Sequence, residues 1–159
     1  MKASEVAIIA FSLVVAAALQ QALSARIAVF GARPDFFLVL LSVMGILTSP
    51  RASIGLGFIF GLAQGALPMA NLAHYAISRC LTGYVIGRAQ GLRLHPTPSV
   101  VFGTAALATL FAQVVWMFIA APPNIPGFLG DTIRSAIYNG VLAIPLHALL
   151  KRVFRSPIN

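Results

Sequence analysis

Residues 55–65 read GLGFIFGLAQG, and this glycine-rich apolar stretch decides the fold. Residues four apart share one face of a helix, so Gly57, Gly61 and Gly65 form a stripe of small residues. Each glycine weakens a soluble helix by about 1 kcal/mol, but in a bilayer small residues let two helix backbones approach closely. The stretch therefore predicts a packed bundle of membrane helices, with a close helix–helix contact along the glycine stripe.

The following apolar run continues the same pattern. It contains LTGYVIG at residues 81–87, where Gly83 and Gly87 are four residues apart. Gln64 lies three residues after Gly61 and therefore projects from the glycine face. An amide there is expected to form a hydrogen bond to another helix, which is typically worth about 0.6 kcal/mol in membranes. We expect the third and fourth runs to pack as a tight hairpin.

The composition is that of a membrane protein throughout. The 159 residues are 59% hydrophobic and 9% charged, whereas a soluble domain has about 25% charged residues. We therefore interpret residues 1–159 as a single integral membrane domain. The net charge of +8 would suggest nucleic acid in a soluble protein. Here the basic residues lie singly between apolar runs, so the lipid bilayer explains them and no nucleic-acid partner is expected.

The apolar runs predict an all-α polytopic membrane bundle of about six transmembrane helices. The runs cover residues 6–23, 36–47, 52–69, 72–86, 100–120 and 133–154. A spanning helix needs about 20 residues, so the short second run must borrow flanking residues, tilt or be sheltered by protein. The first run also resembles a signal peptide, but the glutamate near its start and the later runs favour a first span.

The distribution of Lys and Arg predicts the orientation. If both termini are cytoplasmic, seven basic residues are on the inner side: Lys2, Arg51, Arg88, Arg93, Lys151, Arg152 and Arg155. The outer side then holds Arg26, Arg33 and, just inside the sixth run, Arg134. Because inner segments carry the excess of positive charge, this orientation is favoured. One span more or fewer would largely cancel the bias.

The connection after the fifth run, residues 121–130, contains three prolines and two glycines. These residues interrupt helices, so an irregular outer loop is predicted there. Ile125, Phe128 and Leu129 are apolar residues within it. They either rest on the bilayer surface or contact a partner.

Arg79 is a charged residue in the middle of the fourth run. An arginine at the bilayer centre costs at least about 2.5–3.5 kcal/mol, so it should face protein or water and have a partner. Asp131 and Arg134 are three residues apart and can pair with each other, which leaves Asp35 as the preferred partner of Arg79. Three roles remain open for Arg79: a structural tether, a contact for a partner protein, and a charge that binds a ligand or ion.

The remaining polar residues at membrane depth are amides. Gln113 lies on the fifth run and Asn139 on the sixth, and hydrogen bonds between helices are favoured over substrate contacts for both. The intramembrane polar candidates are Asp35, Gln113 and Asn139. The candidates for helix packing or partner contact are Gly57, Gly61, Gln64, Gly65, Arg79, Gly83 and Gly87.

Four polar residues are predicted near the outer side of the membrane, and they are Asp35, Asn71, Asp131 and Arg134. Two interpretations are open. The four residues form a polar ligand site beneath an outer loop, as a transport-binding subunit would need. Alternatively they cap helices, because a carboxylate such as that of Asp131 is favoured at a helix start.

Catalytic and metal-binding patterns are missing from the sequence. It contains no acidic pair at one depth, no HExxH sequence and no phosphate-binding loop. The three histidines, His74, His95 and His147, lack metal-ligand spacing. Three acidic residues in all are too few for a proton relay or a cation pathway. We therefore expect no enzyme activity, no cofactor and no metal site.

Several short motifs occur in an order that resembles the bacterial rod shape-determining protein MreD family. Arg33-Pro-Asp35 opens the second run, GxGFxxG covers residues 55–61, and GYVIG covers residues 83–87. Tyr138-Asn-Gly then precedes Pro145 and the basic pair at 151–152. The resemblance extends from about Arg33 to Arg152. Gln64 stands where this family often has an aspartate.

The resemblance implies a non-catalytic scaffold of the cell-elongation machinery in the bacterial inner membrane. Its partners would be an MreC-like single-span protein, MreB, RodA and penicillin-binding protein 2, and it would support peptidoglycan synthesis at the lateral wall. The family also looks like the substrate-binding subunits of energy-coupling-factor transporters. The alternative is therefore a subunit that binds a vitamin-like small molecule, and a small channel or carrier is a third possibility.

Overall fold

The computed structural model describes residues 3–68, 71–92 and 95–153, without the side chains of residues 3–5 and 153. Within those residues the protein is all-helical, as predicted. Its six α-helices are α1 (Ala3–Ala22), α2 (Phe36–Leu47), α3 (Pro50–Ala66), α4 (Leu72–Ala89), α5 (Pro98–Ile119) and α6 (Ile125–Val153). A 3₁₀ turn at Gln90–Leu92 follows α4. Of the basic residues used for the orientation, Lys2, Arg93 and Arg155 lie outside the described residues.

Helix α2 is the centre of the bundle. Nine of its 12 residues are buried, and it packs against each of the other five helices. A helix of this length is about 18 Å long, which is less than the about 30 Å of a bilayer's hydrocarbon core. Of the three possibilities considered for this short run, the structure therefore shows the third, which is shelter by protein.

Side-chain caps set where the central helices begin. The carboxylate of Asp35 accepts a hydrogen bond from the backbone N–H of Leu38 at 3.0 Å, and α2 starts at Phe36, directly after Asp35. Ser49 caps α3 in the same way, immediately before Pro50. Proline is favoured at a first helical position because the N–H it lacks has no partner within the helix there. The cap by Asp35 thus fixes the start of α2 within the bundle.

The glycine stripe of α3 lies directly against the backbone of α4. A Cβ atom at Gly61 would be 2.6 Å from the carbonyl oxygen of Tyr75, and one at Gly65 would be 2.7 Å from a backbone atom at the start of α4. A Cβ at Gly57 would overlap the carbonyl oxygen of Arg79. No side chain larger than hydrogen fits at these positions without moving a helix, so the close contact holds α3 and α4 together as a hairpin.

The glycines of α4 make the reciprocal contacts. A Cβ at Gly83 would overlap the carbonyl oxygen of Ser53, and one at Gly87 would be 2.7 Å from the carbonyl oxygen of Pro50. The hydroxyl of Ser53 also donates a hydrogen bond to the carbonyl of Gly83 at 2.9 Å. Gly55, by contrast, faces open space. We call the contact formed by glycines 57, 61, 65, 83 and 87 the α3–α4 seam.

The predicted irregular loop at residues 121–130 is wrong in its second half, because α6 begins at Ile125. Asn124 caps the helix, since its side-chain oxygen accepts a hydrogen bond from the backbone N–H of Gly127 at 3.1 Å. Pro126 falls within the first helical turn, where a missing N–H leaves no bond unmade. The proline that was expected to interrupt a helix therefore stands where a helix tolerates it.

Among the residues that the structure describes, two helices are long and apolar enough to cross a membrane by themselves, judged by length and composition. They cover Pro98–Ile119 and Ile125–Arg152, and the segments Val6–Ala22 and Phe36–Leu47 are apolar but shorter. These lengths fit a protein embedded in a membrane. The short α2 is the most buried of the helices, and the glycine-rich α3 and α4 pack mainly against each other.

Candidate functional site

Arg79 and Asp35 form an ion pair in the interior of the bundle. Nη2 of Arg79 donates a hydrogen bond to Oδ2 of Asp35, and their side chains are 3% and 14% exposed. The arginine comes from the first half of α4, and the aspartate is the residue that caps α2. The ion pair expected from the sequence is therefore present, and it places the charge of Arg79 against protein.

Gln64 connects the two charged side chains. Its Nε2 atom donates a hydrogen bond to Oδ2 of Asp35 at 2.9 Å, and its Oε1 atom accepts one from Nε of Arg79 at 2.9 Å. An amide can make both bonds because it carries a donor and an acceptor. Gln64 is 7% exposed, so α3 is tied to α2 and α4 at a buried position.

Asp35 also links α2 to the last two helices through its backbone. Its N–H donates a hydrogen bond to Oδ1 of Asn139 on α6 at 3.0 Å. The Nδ2 atom of Asn139 in turn donates to the hydroxyl of Thr109 on α5 at 3.1 Å. Asn139 is fully buried. This amide is therefore a structural bridge between three helices, which is the role favoured from the sequence.

Two further contacts bring in α1 and a second point on α5. The N–H of Phe36 donates a hydrogen bond to Oε1 of Gln20 at 2.9 Å. Arg79 donates to the hydroxyl of Ser78 at 3.3 Å, and that hydroxyl donates to the carbonyl of Ala112 at 2.8 Å. One connected set thus joins all six helices. We call it the Asp35 network, and its members are Gln20, Asp35, Gln64, Ser78, Arg79, Thr109 and Asn139.

A polar pocket with a volume of about 640 Å³ lies beside the Asp35 network. Asp35 and Arg79 line it together with an aromatic wall formed by Tyr75 and Trp116, whose ring centroids are 4.6 Å apart. The guanidinium of Arg79 lies 5.7 Å from the centre of the Tyr75 ring, within the range of a cation–π interaction. Gln113 also lines this pocket. The pocket therefore combines a neutralised charge pair, amide groups and aromatic rings.

The other polar residues predicted on the outer side do not join this pocket. Asp131 and Arg134 pair with each other at 3.4 Å on the surface, where both are more than half exposed. Asp131 lies within α6 and not at its start, so the interpretation of Asp131 as a helix cap is wrong. Asn71 precedes α4 and makes no side-chain capping bond. Of the four residues, Asp35 alone both caps a helix and lines the pocket.

The segment between α1 and α2 contributes contacts that the sequence did not indicate. The buried hydroxyl of Ser24 donates to the carbonyl of Pro34 at 3.0 Å, and Nε2 of Gln20 donates to the same hydroxyl at 3.2 Å. The hydroxyl of Tyr138 on α6 donates to the carbonyl of Ile27 at 2.7 Å. The polar end of the first apolar run, Gln20-Gln21, was the available signal for this buried anchor point.

Comparison with known proteins identifies the family. The model of the family described as rod shape-determining protein MreD matches residues 1–156 of the chain. The chain belongs to the MreD family. No curated protein and no solved structure matches it. MreD proteins are membrane proteins with a role in determining rod shape, and MreD is not a known enzyme family.

The match and the structure bear on two expectations for this MreD protein. The predicted resemblance to transporter substrate-binding subunits has no support, since no solved structure matches. In the part of the chain that the structure describes, no group of three or more His, Cys, Asp or Glu side chains is placed to hold a metal ion.

Gln64 now has a physical explanation in this MreD protein. An aspartate or glutamate there would be an acceptor only, and its charge would repel Asp35. The amide instead donates to Asp35 and accepts from Arg79. An amide at position 64 therefore suits the neutral balance of this ion pair.

Proposed function

We propose that this MreD protein is a non-catalytic scaffold of the cell-elongation machinery. In this role it binds an MreC-like single-span membrane protein and supports peptidoglycan synthesis at the lateral wall together with MreB, RodA and penicillin-binding protein 2. The observation that carries the proposal is the family match over residues 1–156. The Asp35 network supports it, because its charges are paired with each other and it ties six helices into one body.

We propose in addition that the protein spans the inner membrane several times, with both termini in the cytoplasm. Arg51 at the start of α3 and Arg88 at the end of α4 lie at the same end of the hairpin, where Gly87 meets Pro50. Lys151 lies in the last turn of α6. A cluster of basic residues at one end of the bundle is what the positive-inside rule requires of the cytoplasmic side.

Thiol labelling tests this topology. The single cysteine is first removed by the substitution Cys80→Ser. Arg88→Cys and Ala121→Cys are then introduced separately into this cysteine-free protein. A membrane-impermeant thiol reagent applied to intact cells, with the outer membrane permeabilised where one is present, should label position 121 and leave position 88 unlabelled until the inner membrane is broken. Labelling of position 88 in intact cells would show that the orientation is reversed.

The α3–α4 seam limits where a partner can bind. Its glycines are in contact with the bundle's own backbone, so we propose that they serve helix packing and that an MreC-like protein binds elsewhere on the bundle. The exposed residue Gly55 on the same helix faces open space. Gly55, which faces open space, therefore serves as the matched control for Gly61, which lies in the seam, in the functional test.

Depletion and complementation in the source bacterium test the scaffold role. Depletion of the protein should convert rods into rounded cells, and the tagged protein should co-purify with an MreC-like single-span protein. Complementation by Gly55→Leu should restore rod shape, whereas Gly61→Leu should not, because it forces the seam apart. Rods that persist after complete depletion would contradict the proposed function.

A further inference from the structure

A tight turn between α1 and α2 holds an aromatic residue in an unusual backbone conformation. Val29 and Ala32 exchange two backbone hydrogen bonds of 3.0 Å. The two residues between them, Phe30 and Gly31, have φ angles of 50° and 84°. Positive φ at both central residues is characteristic of a type I′ turn. We call residues 29–32 the Phe30 turn.

Phe30 is a strained choice for its position in this turn. Asparagine, aspartate and glycine are the usual residues there, because positive φ brings the Cβ atom of other residues too close to the following carbonyl oxygen. A bulky residue with positive φ is a genuine outlier, and such strain persists only where the surrounding structure holds it. The chain therefore keeps a phenylalanine where an asparagine would avoid most of the strain.

The bundle holds the base of the Phe30 turn and leaves the aromatic ring outside. Ala32 is 2% exposed. The hydroxyl of Tyr138 on α6 donates a hydrogen bond to the carbonyl of Ile27 at 2.7 Å, and Nη1 of Arg134 donates to the carbonyl of Phe30 at 3.2 Å. Phe30 is 88% exposed and does not line the pocket beside the Asp35 network. The turn thus displays this ring on the surface of the bundle.

The contact with Arg134 places the Phe30 turn at one edge of the apolar surface of α6. From residue 135 to residue 150 the exposed residues of α6 are all apolar, and they are Ile137, Val141, Pro145, Ala148 and Leu149. Arg134 and Lys151 bound this stretch and are about 26 Å apart along the helix axis. The hydrocarbon core of a bilayer is about 30 Å thick. Arg134 therefore marks a membrane–water boundary, and Phe30 lies at that level.

The charges around the turn fit the phosphates of lipid headgroups. Arg26 and Arg33 flank the turn in the sequence and are exposed, and the side chain of Arg134 is 57% exposed. Asp131 pairs with Arg134 at 3.4 Å, but an exposed pair of this kind is weak. Arginine binds phosphate oxygens through paired hydrogen bonds. An apolar ring accompanied by arginines is the composition that anchors a segment at a membrane interface.

We propose that the Phe30 turn is a lipid anchor. The ring of Phe30 inserts among the upper acyl chains of one leaflet, and Arg26 and Arg33 bind the phosphates of adjacent anionic headgroups. A bilayer boundary supplies both groups side by side, whereas a protein groove would need an apolar pocket together with acidic groups of its own. The anchor rests on the membrane embedding of MreD proteins. It does not depend on which side is cytoplasmic or on binding to MreC.

Tryptophan fluorescence in vesicles measures the depth of the turn. The single tryptophan is removed by Trp116→Phe, and Phe30→Trp and Ile137→Trp are made separately in that background. The full chain is reconstituted in phosphatidylcholine and phosphatidylglycerol with bromine atoms on the upper acyl chains. The bromines should quench Phe30→Trp about as strongly as Ile137→Trp, which serves as the lipid-facing reference. Aqueous iodide should quench Phe30→Trp far less than it quenches free N-acetyltryptophanamide.

The lipid headgroup tests the role of the arginines. At the same minor mole fraction, brominated phosphatidylglycerol should quench Phe30→Trp more than brominated phosphatidylcholine does. Adding Arg26→Gln and Arg33→Gln together should remove this excess. Arg51→Gln is the matched control and should keep it, because Arg51 lies in the first turn of α3, beyond the end of α2 that is remote from the Phe30 turn.

Phe30→Asn separates a lipid contact from a contribution to folding. Asparagine tolerates positive φ, so the turn is kept while the ring is removed. The unfolding temperature in detergent should equal or exceed that of the wild type. Ala32→Asn places the same side chain at the buried base of the turn and should lower the unfolding temperature.

Three outcomes would overturn the proposal. Strong quenching of Phe30→Trp by iodide and none by brominated chains would show that the ring is held in water, as a contact surface for another protein would require. Equal quenching by the two brominated lipids would contradict the phosphate contact. A lower unfolding temperature for Phe30→Asn would show that the ring supports the fold. None of these measurements uses cells or a partner, so their failure leaves the scaffold role untouched.

Discussion

The α3–α4 seam and the side of the bundle between α1 and α6 are two helix surfaces of opposite character. At the seam, glycines bring the backbones of two helices into direct contact. Between α1 and α6 lies an apolar cleft of about 530 Å³, lined by large side chains such as Phe11, Val15, Leu146 and Leu149, with α2 behind it. We call it the α1–α6 cleft.

The difference shows which contacts a membrane protein can specify by packing. Lipid tails are as apolar as leucine, so no hydrophobic effect drives two membrane helices together. Small residues close the seam because they bring many backbone atoms within van der Waals distance. The bulky aliphatic side chains of the cleft gain as much from lipid as from each other, and the cleft stays open.

The largest difference in stability is expected between two variants of α3 that each replace one glycine by leucine. Gly61→Leu is expected to prevent correct folding, because even its Cβ would lie 2.6 Å from the carbonyl of Tyr75, and overpacking already costs about 1–3 kcal/mol in milder cases. Gly55→Leu should fold normally, since Gly55 faces open space. Yield and unfolding temperature in detergent measure both.

A Gly61→Leu protein with normal yield and stability would contradict the close contact at the seam. Gly55→Leu controls for the change in helix propensity and for the added apolar surface, because both variants lose a glycine from one helix and gain the same side chain. The difference in stability between the two variants therefore measures the space next to each residue.

Removing the charge of Arg79 should have the second largest effect. Arg79→Leu leaves Asp35 buried without its partner, and breaking a buried pair costs about 3–5 kcal/mol. We expect a value near the lower limit, since the pocket gives Asp35 some access to water. The free energy of unfolding in detergent measures the loss.

A second substitution tests whether the loss comes from the uncompensated charge. Asp35→Asn removes that charge and keeps an oxygen that can cap α2, so Arg79→Leu combined with Asp35→Asn should recover part of the stability. If the double variant is less stable than Arg79→Leu alone, the ion pair is not the reason for the loss. Arg79→Leu that is fully stable but no longer binds a partner would favour a partner-contact role.

Much of the bundle could be predicted from local patterns. The bounds of α2 follow from an uninterrupted apolar run that begins directly after Asp35. The pairing of Arg79 with Asp35 followed from the high cost of an unpaired membrane charge and from the few acidic residues present. Both predictions needed only local sequence and one strong energetic constraint.

Other features depend on position and on long-range contacts, and they could not be predicted in this way. Pro126 was interpreted as a helix breaker, but it stands in the first turn, where the cap of Asn124 decides the outcome. The bridging role of Asn139 depends on two other helices that reach it only in the folded bundle. The sequence marks such an amide as buried and polar but does not name its partners.

The bridging amide of Asn139 should show an intermediate effect. Asn139→Ala leaves the N–H of Asp35 and the hydroxyl of Thr109 without this partner, and an unsatisfied buried polar group costs about 1–3 kcal/mol. Gln113→Ala removes an amide that lines the pocket, and its effect should stay within about 0.5 kcal/mol. Equal losses in the two variants would show that the bridge adds no stability of its own.

The smallest effect is expected in the α1–α6 cleft. Ala7 is exposed and lines this cleft, so Ala7→Leu adds a side chain where lipid or detergent is displaced and no backbone is pushed aside. The stability should change by no more than about 0.5 kcal/mol, measured by the same thermal unfolding as for Gly61→Leu. A loss as large as that of Gly61→Leu would mean that α1 is packed as tightly as α4, and that the contrast between seam and cleft does not hold. A small change would instead show that in this bundle the local gap, and not the size of the added side chain, sets the cost.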